Sequence, residues 1–186
     1  MSSPDAPQLS QNETTGSEPR LGGDTALLQI LAALRDAPSS GRANAGRALV
    51  EIMERDPDLG HQAIPELRDL LDSARIDHRI IAAWVLGHVA QSDIAAELVT
   101  SLLPHMRARS TTMRWITLNS LIRLIPHLAD EEVRQAIINE MIYAIDDSAA
   151  LIRDISIRAL GFIGDERAIP GMREHLSDPA EPVSVA

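Results

Sequence analysis

The sequence predicts an all-α fold in which short helical hairpins stack one upon another. Three observations carry that expectation. From Asp24 onward, apolar residues recur at spacings of three and four, the period of a helix face. Hydrophobic residues make up 45% of the chain but aromatics only 2%, so the core must be built from Leu, Ile, Ala and Val. Such a core suits closely packed helices better than a β-sandwich, whose strands favour aromatic side chains. Finally, one arginine-led pattern returns four times at nearly constant spacing.

The elements follow from the punctuation. Residues 1–22 are rich in Ser, Pro, Gln, Thr and Gly and hold only Leu9 and Leu21 as large apolar residues besides Met1, so they are expected to form a disordered tail. A repeat domain over 23–178 follows, with 179–186 as a C-terminal tail or the start of a further unit. Helices are expected near 24–35, 40–55, 62–72, 77–91, 93–106, 111–127, 130–146, 150–163 and 166–177. The breaks come from "DPDLG" (56–60), "QSD" (91–93), "HLAD" (127–130) and "GD" (164–165), and no segment shows strand-like alternation between turn signals.

The repeat is seen by aligning "SGRANAGRALVEI", "DHRIIAAWVLGHV", "TMRWITLNSLIRL" and "LIRDISIRALGFI" on Arg42, Arg79, Arg114 and Arg153, which are 37, 35 and 39 residues apart. Three residues on stand Ala45, Ala82, Thr117 and Ser156; seven on, Leu49, Leu86, Leu121 and Leu160; ten on, Ile52, Val89, Leu124 and Ile163. Offsets +3, +7 and +10 share one helical face, small near the start and bulky later. The spacing leaves room for one hairpin per copy, and a hairpin with one apolar face buries it only by stacking on a neighbour.

The stretch "DDSAALIRDISIRALGFIGDERAIPGMREHLSD" (146–178) resembles the HEAT repeat family, in particular the HEAT-like repeats of the phycobilin lyase type. Residues 77–91 resemble it well, and 36–55 and 107–127 less closely. The resemblance implies a right-handed α-solenoid of about four hairpins. It also implies a structural role for the recurring Arg, bonded along the stack to an Asp that precedes a second helix. Only Asp36/Arg42 and Asp147/Arg153 keep both members at that spacing, so Arg79 and Arg114 lack the local Asp. Gly87 and Gly161, both at offset +8, read as close-packing positions. "SDPAEPVSVA" restarts the unit about one helix early, which reads either as a degenerate cap or as a truncated repeat open to self-association.

Composition narrows the function. The net charge of −10 argues against general nucleic-acid binding, which needs a concentrated positive field. There is no cysteine and no lysine, which excludes disulfides, thiol catalysis, Schiff-base lysine chemistry and the P-loop. His61, His78, His88, His105, His127 and His175 are scattered, with no metal-ligand spacing and none of the repeated His-Glu dyads of HEAT-type hydroxylases. Carboxylate pairs such as Glu131-Glu132 and Asp146-Asp147 fall at helix ends, where capping accounts for them. No catalytic group, metal or cofactor is expected. The N-terminus reads as neither a secretory signal nor a membrane anchor, so the expected location is the cytoplasm.

Two surfaces remain as candidates. Offsets +1, +5 and +9 point away from the core face and carry Arg47, Trp84, His88, Trp115, Asn119, Arg123, Arg158 and Phe162. These residues either pack between repeats or line an inner surface as anchors, since Trp and Arg often dominate binding energy. No acid occurs between Glu97 and Asp130, so Arg107, Arg109 and Arg114 form a basic patch, either a solvated turn or a dock for an acidic or phosphorylated peptide. The leading reading is a non-catalytic scaffold or adaptor holding a protein or peptide on its inner helices. Two alternatives rest on the resemblance: a tetrapyrrole chaperone or component of a phycobilin lyase, and a DNA-binding protein similar to HEAT-like DNA glycosylases.

Overall fold

The computed structural model describes residues 21–89 and 94–176. Among these residues there are nine α-helices and no strand: α1 (Leu21–Asp36), α2 (Ser39–Arg55), α3 (Pro57–Leu71), α4 (Ile76–Leu86), α5 (Ala95–Leu102), α6 (Thr111–Leu124), α7 (Glu131–Ala144), α8 (Ala150–Ile163) and α9 (Ile169–Leu176). Three short 3₁₀ turns, Leu103–Arg107, Ile125–His127 and Glu166–Ala168, tighten the connections. The all-α solenoid expected from the repeat is the fold. Each even-numbered helix packs on the next, α2 on α4, α4 on α6 and α6 on α8. The odd-numbered helices form the other layer, with α1 against α3 and α5 against α7, and α1, α3, α5 and α7 are each closed onto their hairpin partners.

The +3/+7/+10 face builds the core. Leu49, Leu86, Leu121 and Leu160, the four +7 leucines, are fully buried, as are Ala82, Thr117 and Ser156 at +3. Each such leucine contributes roughly 1.5–3 kcal/mol through removal from water. The small +3 residues let the two helices of a hairpin approach near the start of the second helix.

Several boundaries differ from expectation, each for a local reason. "DPDLG" begins α3 rather than breaking the chain: Asp56 is the N-cap, its carboxylate accepting from the Leu59 N–H at 3.4 Å, and Pro57 occupies the first turn, where its missing N–H costs nothing. Pro65 then lies inside α3. α4 stops at Leu86 instead of continuing to 91, and the helix expected over 93–106 divides into α5 and a 3₁₀ turn containing Pro104. α8 ends at Gly164, which takes the left-handed conformation (φ 77°) that a side chain would strain. Leu21 and Gly22, read as tail, belong to α1; the rest of the expected tail, the break at 91–93 and the unit at 179–186 lie outside the described residues.

Candidate docking surface

The recurring arginines come first, because they fix where the second helices stand. Arg42 is buried, pairs with Asp77 of the following hairpin, and donates to the Leu34 and Ala37 carbonyls at 2.8 Å each. Arg114 repeats the arrangement: its Nε and Nη2 reach the two Asp147 oxygens at 2.7 and 2.8 Å, and Nη1 donates to the Ala108 carbonyl at 2.8 Å. This bidentate fork satisfies both ions inside a partly buried site, the condition under which such a pair stabilises. Arg79 and Arg153 donate to the carbonyls of Ser73 and Asp147, each six residues earlier, at 3.1 and 3.0 Å. The acid-free window explains the asymmetry, since the hairpin after Arg79 carries no Asp where Asp77 and Asp147 stand.

The carboxylates respond. Hydrogen bonding from Arg75, reinforced by the Arg42 and Arg75 charges against the opposing cost of burial, brings Asp77 down to about 2. Burial works to raise Asp147, but the hydrogen bonds from Arg114 and the Ala149 N–H, with the nearby Arg charges, hold it below the ordinary carboxylate range.

A second series of arginines ties the odd-numbered layer. Arg35 pairs with Glu66, Arg68 with Glu97, and Arg107 with Glu140, each on the following hairpin. Sequence reasoning missed these rungs, whose spacings of 31, 29 and 33 residues fall somewhat short of the repeat length and were the one signal that could have found them.

This geometry revises the basic patch. Arg114 is buried in its pair with Asp147 and presents no charge to solvent. Arg107 is held by Glu140 at 2.8 and 3.1 Å and stacks over the Tyr143 ring at 4.6 Å. Of the three, Arg109 alone projects an exposed side chain that takes part in no ion pair among the described residues. Long arginines on an acid-free helix reach acids on the next one, which the one-dimensional charge count does not register.

The +1/+5/+9 positions divide: some are exposed, while Ile80 and Trp84 pack against the core. Arg47, Trp115, Arg123, Arg158 and Phe162 are exposed, Phe162 at 95%, while Trp84, His88 and Asn119 are half-buried. Trp84 fills space between α2 and α4: a Cβ built on Gly46 would lie 3.6 Å from its ring, and the His88 imidazole stacks obliquely on its other side, centroids 4.4 Å apart. Trp84 thus packs between repeats, whereas Trp115, Arg123 and Phe162 are open to a partner. Arg158 is joined to Asp154 at 2.9 Å on its own helix, and Arg123 makes no ion pair among the described residues.

Between α6 and α8 the layer opens into an apolar cleft of about 560 Å³, lined by Ile122, Ile125, Pro126, Ile155, Ala159, Phe162 and Ile163, with Arg134 and Arg158 its polar liners. Sequence reasoning found Arg158 and Phe162 but not this cleft. Among the described residues no cluster of three or more His, Asp or Glu is placed to hold a metal, and no helix is long and apolar enough to cross a membrane.

Comparison with known proteins agrees with this architecture. The family model of the PBS lyase HEAT-like repeat matches residues 152–178, which span α8 and α9. Residues 152–178 thus form a HEAT-like repeat, and the chain as a whole has the fold of repeat solenoids. Among solved structures, this HEAT-like chain is similar to the complex of CpcE and CpcF of phycocyanin lyase from Nostoc sp. PCC7120 (19% identity, TM-score 0.64, covering 85% of this chain and 92% of that one). It is also similar to an engineered protein (16% identity, TM-score 0.59, 83% and 73% covered). A third is a designed armadillo repeat protein in complex with the peptide (KR)4 (18% identity, TM-score 0.57, 83% and 76% covered). At these identities the likeness is one of fold. No curated protein matches the chain.

Proposed function

We propose that this HEAT-like chain is a non-catalytic adaptor that holds a protein or peptide on the exposed face of its even-numbered helices. The observation that carries the reading is the exposed row of Trp115, Arg123, Arg158 and Phe162, bordering an apolar cleft, on helices whose other faces are consumed by the core. Aromatic and arginine side chains are the ones that most often dominate interface energies. Repeat layers of this kind offer each partner residue a similar row of contacts, and the designed armadillo neighbour is a peptide-bound repeat protein. The test is affinity capture from a nuclease-treated lysate with the wild type and a Trp115→Ala/Arg123→Ala/Phe162→Ala variant. All three side chains are exposed, so the variant should fold as the wild type does. A protein retained by the wild type and lost by the variant supports the reading, and equal recovery by both overturns it.

A role as a phycobilin-lyase-like component that chaperones or attaches a tetrapyrrole is the second reading. It is favoured by the PBS lyase repeat match and by the likeness to the phycocyanin lyase complex. A bilin titrated into the protein should then show a shifted visible absorbance, and an unchanged spectrum argues against this role.

A further inference from the structure

The geometry points to the α6/α8 cleft as the seat of an acidic amphipathic helix from a partner protein. The inference rests on the adaptor reading above and names the partner's chemistry.

The cleft arises from side-chain size in register. Across the α2/α4 junction, offset +4 of the first helix meets offset +2 of the next: Gly46 receives Ile81, whose Cδ1 would lie 2.6 Å from a Cβ placed there. Across α4/α6, offset +8 meets offset +6: Gly87 receives Ser120, with even the Ser120 Cα only 2.6 Å from such a Cβ, and the Ser120 hydroxyl donates to the Ala83 carbonyl at 2.8 Å. At the third junction the corresponding +4 and +8 residues of α6 are Leu118 and Ile122, both large. By the register of the first two junctions their counterparts on α8 are Ile155 and Ala159, and neither +4 nor +8 of α6 is a glycine that would let the helices close. Ile122, Ile155 and Ala159 all line the resulting cleft.

The occupant follows from what rims it. The lining contains two arginines and no acid. Arg134 is paired on its own helix with Glu131 at 3.2 Å and bonded to the Leu128 carbonyl at 2.7 Å. α6 brings no acid at all, because none occurs from residue 98 to 129. Arg123, next to Ile122, is exposed and makes no ion pair among the described residues, and Arg158 is committed only to the exposed, easily exchanged contact with Asp154. An apolar slot with a cationic rim, flanked by parallel layers of helices, fits a helix that inserts apolar side chains at i, i+3 and i+4 and presents Glu or Asp beside them.

The test uses two fluorescein-labelled synthetic helices with the same leucine stripe, one carrying Glu and the other Lys at the flanking positions, titrated with the full chain by fluorescence anisotropy. The Glu helix should bind about tenfold more tightly than the Lys helix. That preference should be lost in Arg158→Glu, and binding should fall about tenfold or more in Phe162→Asp and in the cleft-filling Ala159→Met, while Leu28→Ala, an exposed site on α1 remote from the cleft, leaves it unchanged. Equal or tighter binding of the Lys helix, no binding of either, or binding indifferent to the three cleft variants would each overturn the proposal. Failure here alongside a lysate partner that depends on Trp115 would refute the cleft and leave the adaptor reading standing. Concentration-dependent self-association abolished by Phe162→Asp would assign the face to a second copy instead and likewise refute the proposal.

Discussion

Arg114 shows what a single side chain does in this stack. It crosses from one hairpin to the next, neutralises Asp147, and takes up a backbone carbonyl left over at the start of α6. Removing it leaves Asp147 charged in a site where its side chain is only 13% exposed. Arg114→Ala is therefore expected to cost about 3–5 kcal/mol in urea unfolding. Arg79→Ala removes only one carbonyl contact and no ion pair, and should cost about 1–2 kcal/mol. Equal losses would show that the cross-hairpin pair adds nothing. His78 sets a pH dependence. It is buried in the first turn of α4, where desolvation and then the charges of Arg42 and Arg75 hold its pKa below the ordinary imidazole value; Asp77 and the Arg35 carbonyl pull the other way and lose. A histidine depressed in the folded state binds fewer protons than its unfolded counterpart, so stability falls as pH drops below about 6.5. Asp77 adds its own loss only at lower pH, as the medium falls from about 4 through its folded value of about 2. The fall in urea midpoint between pH 7 and pH 5 should shrink in His78→Gln, and an undiminished fall would remove His78 as its cause.

At the scale of helices, Gly87 and Gly161 occupy the same offset and have opposite surroundings. A Cβ on Gly87 would meet Ser120 backbone at 2.6 Å, whereas nothing lies within 4 Å of one on Gly161. Gly87→Ala should then push α4 from α6 and cost about 1–3 kcal/mol. Gly161→Ala, free of that clash, should be neutral or stabilise by up to about 1 kcal/mol through helix propensity. Thermal unfolding of the two variants decides it, and equal shifts would contradict the packing described. The pair also marks the boundary of what the sequence reveals. Helix number, the buried +3 and +7 positions and the exposed set of Trp115, Arg123, Arg158 and Phe162 were legible, because period and offset are properties of one helix. At +10, Val89 and Leu124 are buried while Ile52 and Ile163 are only half-buried. The close-packing role expected of Gly161 was not met, since an offset does not say whether a neighbour is there. Asp77 was hidden as the partner of Arg42 because it lies two residues before Arg79, whereas Asp147 lies six before Arg153. The cleft was hidden for a related reason. It depends on the sizes of Ile122 and Ala159 together, and register between helices is a property of the stack.

The whole molecule is a row of junctions, and the junctions differ. α2/α4 closes on Gly46 and Trp84, α4/α6 on Gly87 and Ser120, while α6/α8 is held by the Arg114–Asp147 pair below an open cleft. In a solenoid, stability is close to a sum of unit and nearest-neighbour terms, so the weakest junction decides where the chain opens first. The α7–α9 end should therefore exchange its amide hydrogens faster than α4 and α6 under native conditions, through openings smaller than global unfolding. Arg114→Ala should widen that gap by freeing the C-terminal hairpin while α2 and α4 stay protected, and unfolding followed by different probes should cease to coincide. The acidic helix, if it seats in the cleft, bridges the same junction and should slow exchange in α8 selectively. Uniform exchange from α2 to α8, unchanged by Arg114→Ala, would mean that the four second helices open as one cooperative unit and that the third junction is no weaker than the rest.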